Sequence, residues 1–493
     1  MKKHLTSILL FISFGSLFAQ LNPGEDRLFR ESEITEIRLT MTPEDKAFLH
    51  HPDNLYSDVY VSTEVAIQNS DLDTAVTNVG VRIRGNTARN HHKKPYKIDF
   101  KEYGGEQFLK YKKINLKPNV NDPAVIRELL SMRLFRQMDV PAPRVAPAVL
   151  YMNDEYMGVY LMIEQIDDEF VDKRFGKEVG WLYKCSYSAT LEDNNSINDN
   201  DLYQSKMNEE TDTRQELKHF AEVLNNTPDA NFKSAISEIL AVDRYLRYLA
   251  VEAVIGHWDG YSYLCNNYYF YYDEDEGQFE FIAYDTDNTW GIDWVGRDWA
   301  TRDLTHFYRH DQPRPLTSRM LAVPEYRDRY YQYLWELFET HFTGDALAPL
   351  FDQYESLLGS YVADDTYFDD SFGFSHDDFL GAFGTEANGH VKYGLRSYVQ
   401  KRRESGIASL PEIVTGLKDE GVTIFPNPGT DGTFYVTGME DKEAGFILLN
   451  LSGISVPLVI DELGDGHYRL KVAHRSGVYL LRAGNQVRRV VLK

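Results

Sequence analysis

Cysteine is nearly absent from this sequence of 493 residues, which has two, Cys185 and Cys265. A disulfide framework is therefore excluded as the source of stability. The pair allows one bridge at most, and two buried thiols are the expectation. Positive charge is also scarce: 52 Lys and Arg stand against 76 Asp and Glu, a formal net charge of −24. That deficit argues against a general nucleic-acid binder, which needs a basic footprint. Any anionic ligand must be held by local Lys or Arg, or by a metal, against the overall field. Beyond residues 1–19 no apolar run reaches the ~18 residues needed to span a bilayer. No G-x-G-x-x-G, Walker A, H-E-x-x-H or G-x-S-x-G stands in a supporting context, which lowers dinucleotide, P-loop, zinc-protease and α/β-hydrolase readings.

What is present is aromatic and acidic. Aromatics make up 13% of the chain, with 33 Tyr, a content suited to broad sheets or ligand-facing surfaces. The length suits two or three domains. Residues 1–19 read as a secretory signal, with Lys2 and Lys3 before an apolar run and Ala19 at the expected cleavage point. The mature chain is expected to be exported, with no transmembrane segment.

Alternation predicts strands over 33–39 and 60–68. Thr42-Pro43 reads as a helix start. In 79–85 Val79, Val81 and Ile83 fall on one face and Arg82 and Arg84 on the other. In 95–100 Tyr96, Ile98 and Phe100 oppose Lys97 and Asp99, and the basic connection 86–94 includes Lys94. Two such strands can cover an anion or form a solvated hairpin tip. Asp122-Pro123 opens a helix carrying Glu128, which VPAPR ends. Residues 145–165 read as a hairpin turning at Asn153-Asp154 and ending at Glu164; Gly158 marks a bulge or a close backbone approach. A short strand ends at Lys184, and 191–214 reads as a mobile insert whose spacing does not fit an EF-hand. A strong amphipathic helix spans 241–254. Helices are expected at about 317–340, 344–360 and 387–405, with His376 in a loop. After a linker-like 410–420, short strands with Gly, Asn and Pro punctuation predict a small β-sandwich.

Chemistry concentrates in 255–291, which holds Asp259, Asn266, Asn267, Asp285 and Asp287. Asp285 and Asp287 form a D-x-D at a strand end. If the extended conformation persists, both carboxylates share a face and suit a hard cation. A capped turn and a D-x-D glycosyltransferase are the competing readings. Asp259 follows a helix in HWDG and is placed as a base toward a hydroxyl, while His257 reads as a packing or loop residue. The order Asp, Asn, strand, turn, strand, Asp matches protein kinases. Lys97, Lys94, Arg84 and Lys184 are the candidate phosphate ligands, and Glu128 or Glu164 the candidate carboxylate that orients the lysine.

These segments, RIRGNTARNHHKKPYKIDF, DPAVIRELLSMRLFRQMDVPAPR, LYMNDEYMGVYLMIEQIDDEF, LYK, HWDGYSYLCNNYYFYY and FEFIAYDTDNTWG, occur in the order found in the CotH family of spore-coat-type atypical protein kinases, which the chain resembles. The resemblance implies an α+β fold, with a two-lobed kinase-like body over 20–415 (lobes about 33–180 and 181–410). It implies ATP with Mg2+ or Mn2+, transfer to Ser or Thr of secreted or surface proteins, catalytic weight on Asp259 and metal weight on Asp285. The alternative is a non-catalytic surface or matrix protein that keeps the fold. The segment 420–493, with FPNP and SGVYLLRAGNQVRRVVLK, resembles the C-terminal sorting domain of the type IX secretion system. It implies an all-β module, the type IX machinery as partner, and passage through the periplasm to the surface of a Gram-negative cell.

Overall fold

The computed structural model describes residues 21–411 and, toward the C-terminus, 423–425, 432–437, 445–450, 455–464, 467–472, 477–483 and 486–492. The signal-like 1–19 and most of the linker-like 410–420 lie outside the described residues.

Alternation builds the first layer. The strands β1 (Thr35–Thr40), β2 (Val61–Asn69), β3 (Leu72–Ile83), β4 (Tyr96–Asp99) and β5 (Lys113–Lys117) place apolar residues at every second position. Ile37, Val65, Val81, Ile98 and Ile114 from these five strands meet in one core. The hairpin β6 (Val145–Met152) and β7 (Glu155–Glu164) closes them into a barrel of order β1-β2-β3-β4-β5-β7-β6, with β6 parallel to β1. Closure removes exposed sheet edges. The hairpin is apolar on both faces because both are covered. Ala148, Leu150 and Met162 point into the barrel, while Val149, Val159 and Leu161 pack outward on the larger core.

Helix α1 (Pro43–His50) begins as the sequence predicts, with the Thr42 hydroxyl accepting from Asp45 N at 3.1 Å. Helix α2 (Arg127–Gln137) does not begin at Asp122. Asp122 instead accepts from the backbone N–H of Ala124 and Arg127, each at 2.9 Å, and pairs with the Arg127 guanidinium. Val125 takes a φ of +65° in between. The intervening turn sets where α2 starts and so where Glu128 points.

Gly158 meets both expectations. The β6–β7 register shifts beside it, between Leu150 and Tyr151, and its φ is +93°. A Cβ there would collide with the carboxylate of Asp365. That carboxylate is fully buried, ion-paired with Lys93, and accepts from Val159 N at 3.0 Å. The barrel is thus clamped to the chain that follows the long helix of residues 344–363.

Helix α3 (Asp168–Phe175) leads to a second sheet of order β11-β10-β8-β9, made of β8 (Trp181–Cys185), β9 (Tyr203–Met207), β10 (Tyr268–Asp273) and β11 (Gln278–Ala283). Strand β9 lies inside the stretch expected to be loose; its partner β8 supplies the order that local composition does not. Helices α4 (Gln215–Asn226), α5 (Asp229–Ile239), α6 (Val242–Ile255) and α7 (Tyr261–Leu264) pack on one face of that sheet, and α3 covers the other. The aromatic run fills a core rather than a ligand surface. Phe270 stacks on Phe279 at 4.3 Å, Tyr268 on Phe281 at 4.6 Å, and Tyr248 of α6 meets Phe281 at 4.4 Å. Beyond come α8 (Pro315–Ala322), α9 (Pro324–Glu339), α10 (Gly344–Ala363), α11 (His376–Phe383) and α12 (Leu395–Ser409). The single helix expected at 317–340 is two, because Pro324 cannot continue α8. His376 starts a helix rather than sitting in a loop, behind a capping box on Ser375.

The two cysteines are free and buried. Burial raises both thiols, that of Cys265 to about 12, which leaves them inert. Among the described residues no helix is long and apolar enough to cross a membrane.

The C-terminal strands are β12 (Thr423–Phe425), β13 (Thr433–Thr437), β14 (Phe446–Asn450), β15 (Ser455–Val456), β16 (Leu458–Gly464), β17 (His467–Val472), β18 (Gly477–Ala483) and β19 (Gln486–Leu492). They form two four-stranded antiparallel sheets, β12-β13-β17-β16 and β15-β14-β18-β19. Phe434, Leu470, Leu448 and Leu481 from the two sheets share one core.

Replacing Gly158 by Ala forces a side chain into a left-handed position already filled by Asp365. The expected loss is ~2 kcal/mol or more in chemical denaturation. Unchanged stability would show that the Lys93–Asp365 clamp does not depend on close approach at Gly158.

Candidate functional site

Lys117 is the last residue of β5, and its alternation places it opposite to the barrel-facing Leu116. Its ammonium is ringed by three carboxylates: Asp285 in direct contact, Glu128 at 3.0 Å and Asp287 at 3.1 Å. Lys117 was not among the residues the sequence singled out. The available signal was the alternating KINLK strand directly before the α2 segment, with the lysine at its end.

The carboxylates arrive by two routes. Glu128 is the second residue of α2. Asp285 and Asp287 follow β11, which ends at Ala283. The extended geometry does not persist through the D-x-D, since Asp285 has a φ of +49°. Asp tolerates that left-handed conformation better than most residues. The two carboxylates meet because the chain turns, not because a strand puts them on one face. The turn is tied down at both sides. Trp290 N donates to Ile255 O at 2.8 Å at the end of α6, and Trp290 Nε1 to Ser131 Oγ at 2.9 Å on α2. Thr289 Oγ1 sits 3.1 Å from the same Ser131 hydroxyl. The helix that carries Glu128 therefore also fixes the loop that carries Asp285 and Asp287.

One lysine against three carboxylates leaves negative charge in surplus. Burial alone would lower the Lys117 pKa, but Asp285, Asp287 and Glu128 hold it well above the ordinary value. For Asp285 the penalty of burial is overcome by Lys117, with Arg84 and Lys184 assisting, and its pKa falls. Burial raises both Glu128 and Asp287; Lys117 opposes this, and the neighbouring carboxylates add to it.

Asp259 lies between α6 and α7. Asn266 Nδ2 donates to one of its carboxylate oxygens at 3.0 Å and Asn267 Nδ2 to the other at 2.9 Å. Burial pushes its pKa up to about 7; Asp287 and Asp285 add to the rise, and the two amides oppose it. Because both amide nitrogens serve Asp259, either Asn can reach a metal only through its carbonyl oxygen. The loop itself rests on Glu252, fully buried in α6, which accepts from Ser262 N at 3.1 Å and from the Ser262 hydroxyl. Gly260 packs so closely on Glu252 and His257 that a Cβ would clash with both. His257 is fully buried, neither ring nitrogen has a hydrogen-bond partner, and burial lowers its pKa to about 3. It is a neutral packing histidine.

The remaining candidates separate. Arg84 donates to the Tyr284 hydroxyl at 3.0 Å, next to Asp285. The Lys184 ammonium lies 5.3 Å from the centre of the same Tyr284 ring. Lys97 stands further along the barrel, opposite Arg82 and Asn115. Lys94 donates to Arg89 O at 2.7 Å within its own loop. Glu164 meets no lysine at the centre. It is gripped by Arg144 at 2.7 Å and Arg174 at 2.8 Å, whose charges outweigh its burial and hold its pKa far below the usual range. Between the barrel and the second sheet a small cavity of about 20 Å³ is lined by residues that include Arg84, Asn115, Lys117, Glu128, Glu164, Tyr284 and Asp285. That is room for about one water molecule, so a larger ligand enters only if the barrel and the second sheet part.

Among the described residues no group of three or more His, Cys, Asp or Glu is arranged to hold a metal. A Mg2+ bound by one or two carboxylates plus phosphate and water needs no such group. Asp285 and Asp287 are hard oxygen donors in a place with surplus negative charge, so the donor chemistry fits.

A family profile described as CotH kinase protein matches residues 81–405, and so contains every residue of this site. The chain belongs to the CotH kinase family. It is 27% identical over 343 residues to the inner spore coat protein H of Bacillus subtilis, covering 68% of this chain and 90% of that one. It is 24% identical over 339 residues to spore coat protein homolog 1 of Rhizopus delemar, covering 63% of this chain and 54% of that one. With the invasin CotH7 of the same fungus it shares 25% over 224 residues, 43% of this chain and 37% of that one. A crystal structure of the proinflammatory kinase CtkA of Helicobacter pylori aligns with 75% of this chain and 96% of that one, at 9% identity and a TM-score of 0.23, too loose to bear on the fold.

Asn266 and Asn267 both stabilise ionised Asp259. Removing either amide, as in Asn267→Leu, is expected to move the Asp259 titration upward from about 7. Carboxyl ¹³C NMR on Asp-labelled protein would follow it; an unmoved titration would mean these bonds do not tune the carboxylate.

Proposed function

We propose that this CotH-family protein is an exported, metal-dependent protein kinase that passes the γ-phosphate of ATP to Ser or Thr of secreted or surface proteins. The observation that carries the reading is the convergence of Lys117, Glu128 and Asp285 beside a carboxylate, Asp259, poised near neutral pH. Protein kinases use a strand lysine paired to a helix glutamate, a metal-holding Asp and a catalytic-loop Asp in these places.

In this reading ATP enters between the barrel and the second sheet, which must part to admit it, with Arg84 and Lys184, both at Tyr284, flanking its phosphates beside Asp285. Bound Mg2+ or Mn2+ would be held by Asp285 and Asp287, with an Asn carbonyl assisting, and would neutralise charge on the β- and γ-phosphates. Lys117, oriented by Glu128, would contribute positive charge toward the phosphates. Asp259 accepts the proton of the acceptor hydroxyl. The hydroxyl oxygen bonds to the γ-phosphorus as the bond to the β–γ bridging oxygen breaks and ADP leaves. Positioning and charge neutralisation supply most of the acceleration. We also propose that the tail from about 420 is a type IX sorting module; its two-sheet core and its FPNP and SGVYLL segments support this.

The test is transfer of label from γ-labelled ATP to secreted proteins by the full chain with Mg2+ or Mn2+. Asp285→Ala is expected to abolish metal-dependent nucleotide binding with the fold intact. Asp259→Asn is expected to keep that binding and lose transfer by ~10²-fold or more. An Asp must be ionised to accept a proton, so kcat/KM should rise with pH through about 7, the value to which burial raises Asp259. No transfer and no metal-dependent nucleotide binding would favour a non-catalytic binding protein; capture of a nucleotide sugar instead would favour glycosyl transfer.

A further inference from the structure

Lys117 shares its strand face with Asn115. The two are alternate residues of β5, so both point away from the barrel-facing Ile114 and Leu116. Both also line the small cavity between the barrel and the second sheet. Asn115 is 3% exposed. Its Nδ2 donates to Gln165 Oε1 at 3.2 Å and to Ile163 O at 3.5 Å. Gln165 Nε2 in turn donates to Ile166 O at 2.9 Å.

The backbone fixes which way this pair of amides faces. A carbonyl oxygen only accepts, so Gln165 turns its NH2 to Ile166 O and its oxygen to Asn115. Asn115 then turns its NH2 to Gln165 and Ile163, which leaves Oδ1 as the free end of the relay. That oxygen is buried and has no hydrogen-bond partner. A buried acceptor is costly to leave unpaired, so its place calls for a donor. Asn115 belongs to β5, Ile163 to β7, and Gln165 follows β7 directly. The relay therefore stays whole when the second sheet parts from the barrel. Ile163, Ile166 and the Tyr284 ring give the same cavity apolar walls. A flat heteroaromatic ring with an amino group on its edge matches apolar walls and one buried acceptor.

We propose that Asn115 reads the base of the nucleotide: its Oδ1 accepts a hydrogen bond from the exocyclic 6-amino group of a purine whose phosphates lie toward Lys117 and Asp285. This role rests on the reading of the cleft as a nucleotide site, and it names the residue that sets base preference there. The step from Asn115 to Lys117, about 7 Å along the strand, is one that a ribose can span. Adenine carries an amino donor at position 6, where guanine carries a carbonyl acceptor. That carbonyl would face Asn115 Oδ1, acceptor against acceptor. Turning the Asn115 amide to offer its NH2 would set its oxygen against Gln165 Oε1 and Ile163 O instead. The relay thus selects 6-aminopurine over 6-oxopurine nucleotides.

Calorimetric titration of the full chain, with Mg2+ or Mn2+, against ATP, GTP and purine riboside triphosphate tests it; the last lacks the 6-amino group. ATP is expected to bind about tenfold or more tighter than either. In Asn115→Leu that advantage is expected to vanish, with ATP weakened to the level of purine riboside triphosphate and the latter little changed. Gln165→Leu releases the Asn115 amide to turn, and is expected to narrow the gap between ATP and GTP. Wild-type protein that binds ATP and purine riboside triphosphate equally would overturn the role without any variant, and would show that Asn115 Oδ1 faces only buried solvent. An Asn115→Leu chain that melts cooperatively and keeps the ATP advantage would overturn it too. A wild-type chain that binds no nucleotide would overturn the nucleotide reading of the cleft and this role with it, whereas nucleotide bound without base preference would overturn this role alone.

Discussion

A single ammonium group organises this molecule. Lys117 stands at the end of a barrel strand and holds a helix carboxylate and two loop carboxylates, so the barrel, α2 and the segment after β11 converge on one atom. Without that charge, three carboxylates would face each other in a half-buried space, an arrangement that costs several kcal/mol. With it, three carboxylates still face one ammonium, and negative charge stays in excess. The same imbalance makes the site chemically suited to a cation.

Around this centre the fold separates rigid support from chemistry. The barrel core and the aromatic core beneath the second sheet carry no polar duty. Ser131, Thr289 and Trp290 link α2 to the Asp-bearing turn, and Glu252 underlies the Asp259 loop. These contacts are short-range and fully buried, so small shifts in one element are passed to the carboxylates. Asp365 does the same for the barrel, filling the space that Gly158 leaves. Buried polar groups of this kind are expensive unless fully satisfied, and they fix one arrangement when they are.

Charge is distributed unevenly within the cleft. Carboxylates dominate at Lys117, while Arg84 and Lys184 both stand at Tyr284, next to Asp285. A ligand that bridges the two regions must carry positive charge, or a bound cation, at one end and negative charge at the other. A metal–phosphate ligand has that polarity.

Much of this was legible in the sequence. Period-two alternation fixed which faces of β3 and β4 are apolar, helical spacing placed α6, and Asn153-Asp154 marked the β6–β7 turn. The residue types in 255–291 announced a site, because Asp and Asn interrupt an aromatic strand pair without a local reason. Lys117 was missed because the alternation of KINLK gives its place at a strand end but not its partners; Glu128 and Asp285 lie 11 and 168 positions away. Glu164 looked equivalent to Glu128 until Arg144 and Arg174 enclosed it. The D-x-D pair was expected to act from one strand face, but a positive φ at Asp285 produces the convergence instead. Sequence determined most of the elements and their buried faces, since propensity and periodicity are local. Tertiary structure alone decided which lysine meets which carboxylate, since that depends on contacts between segments far apart in the chain.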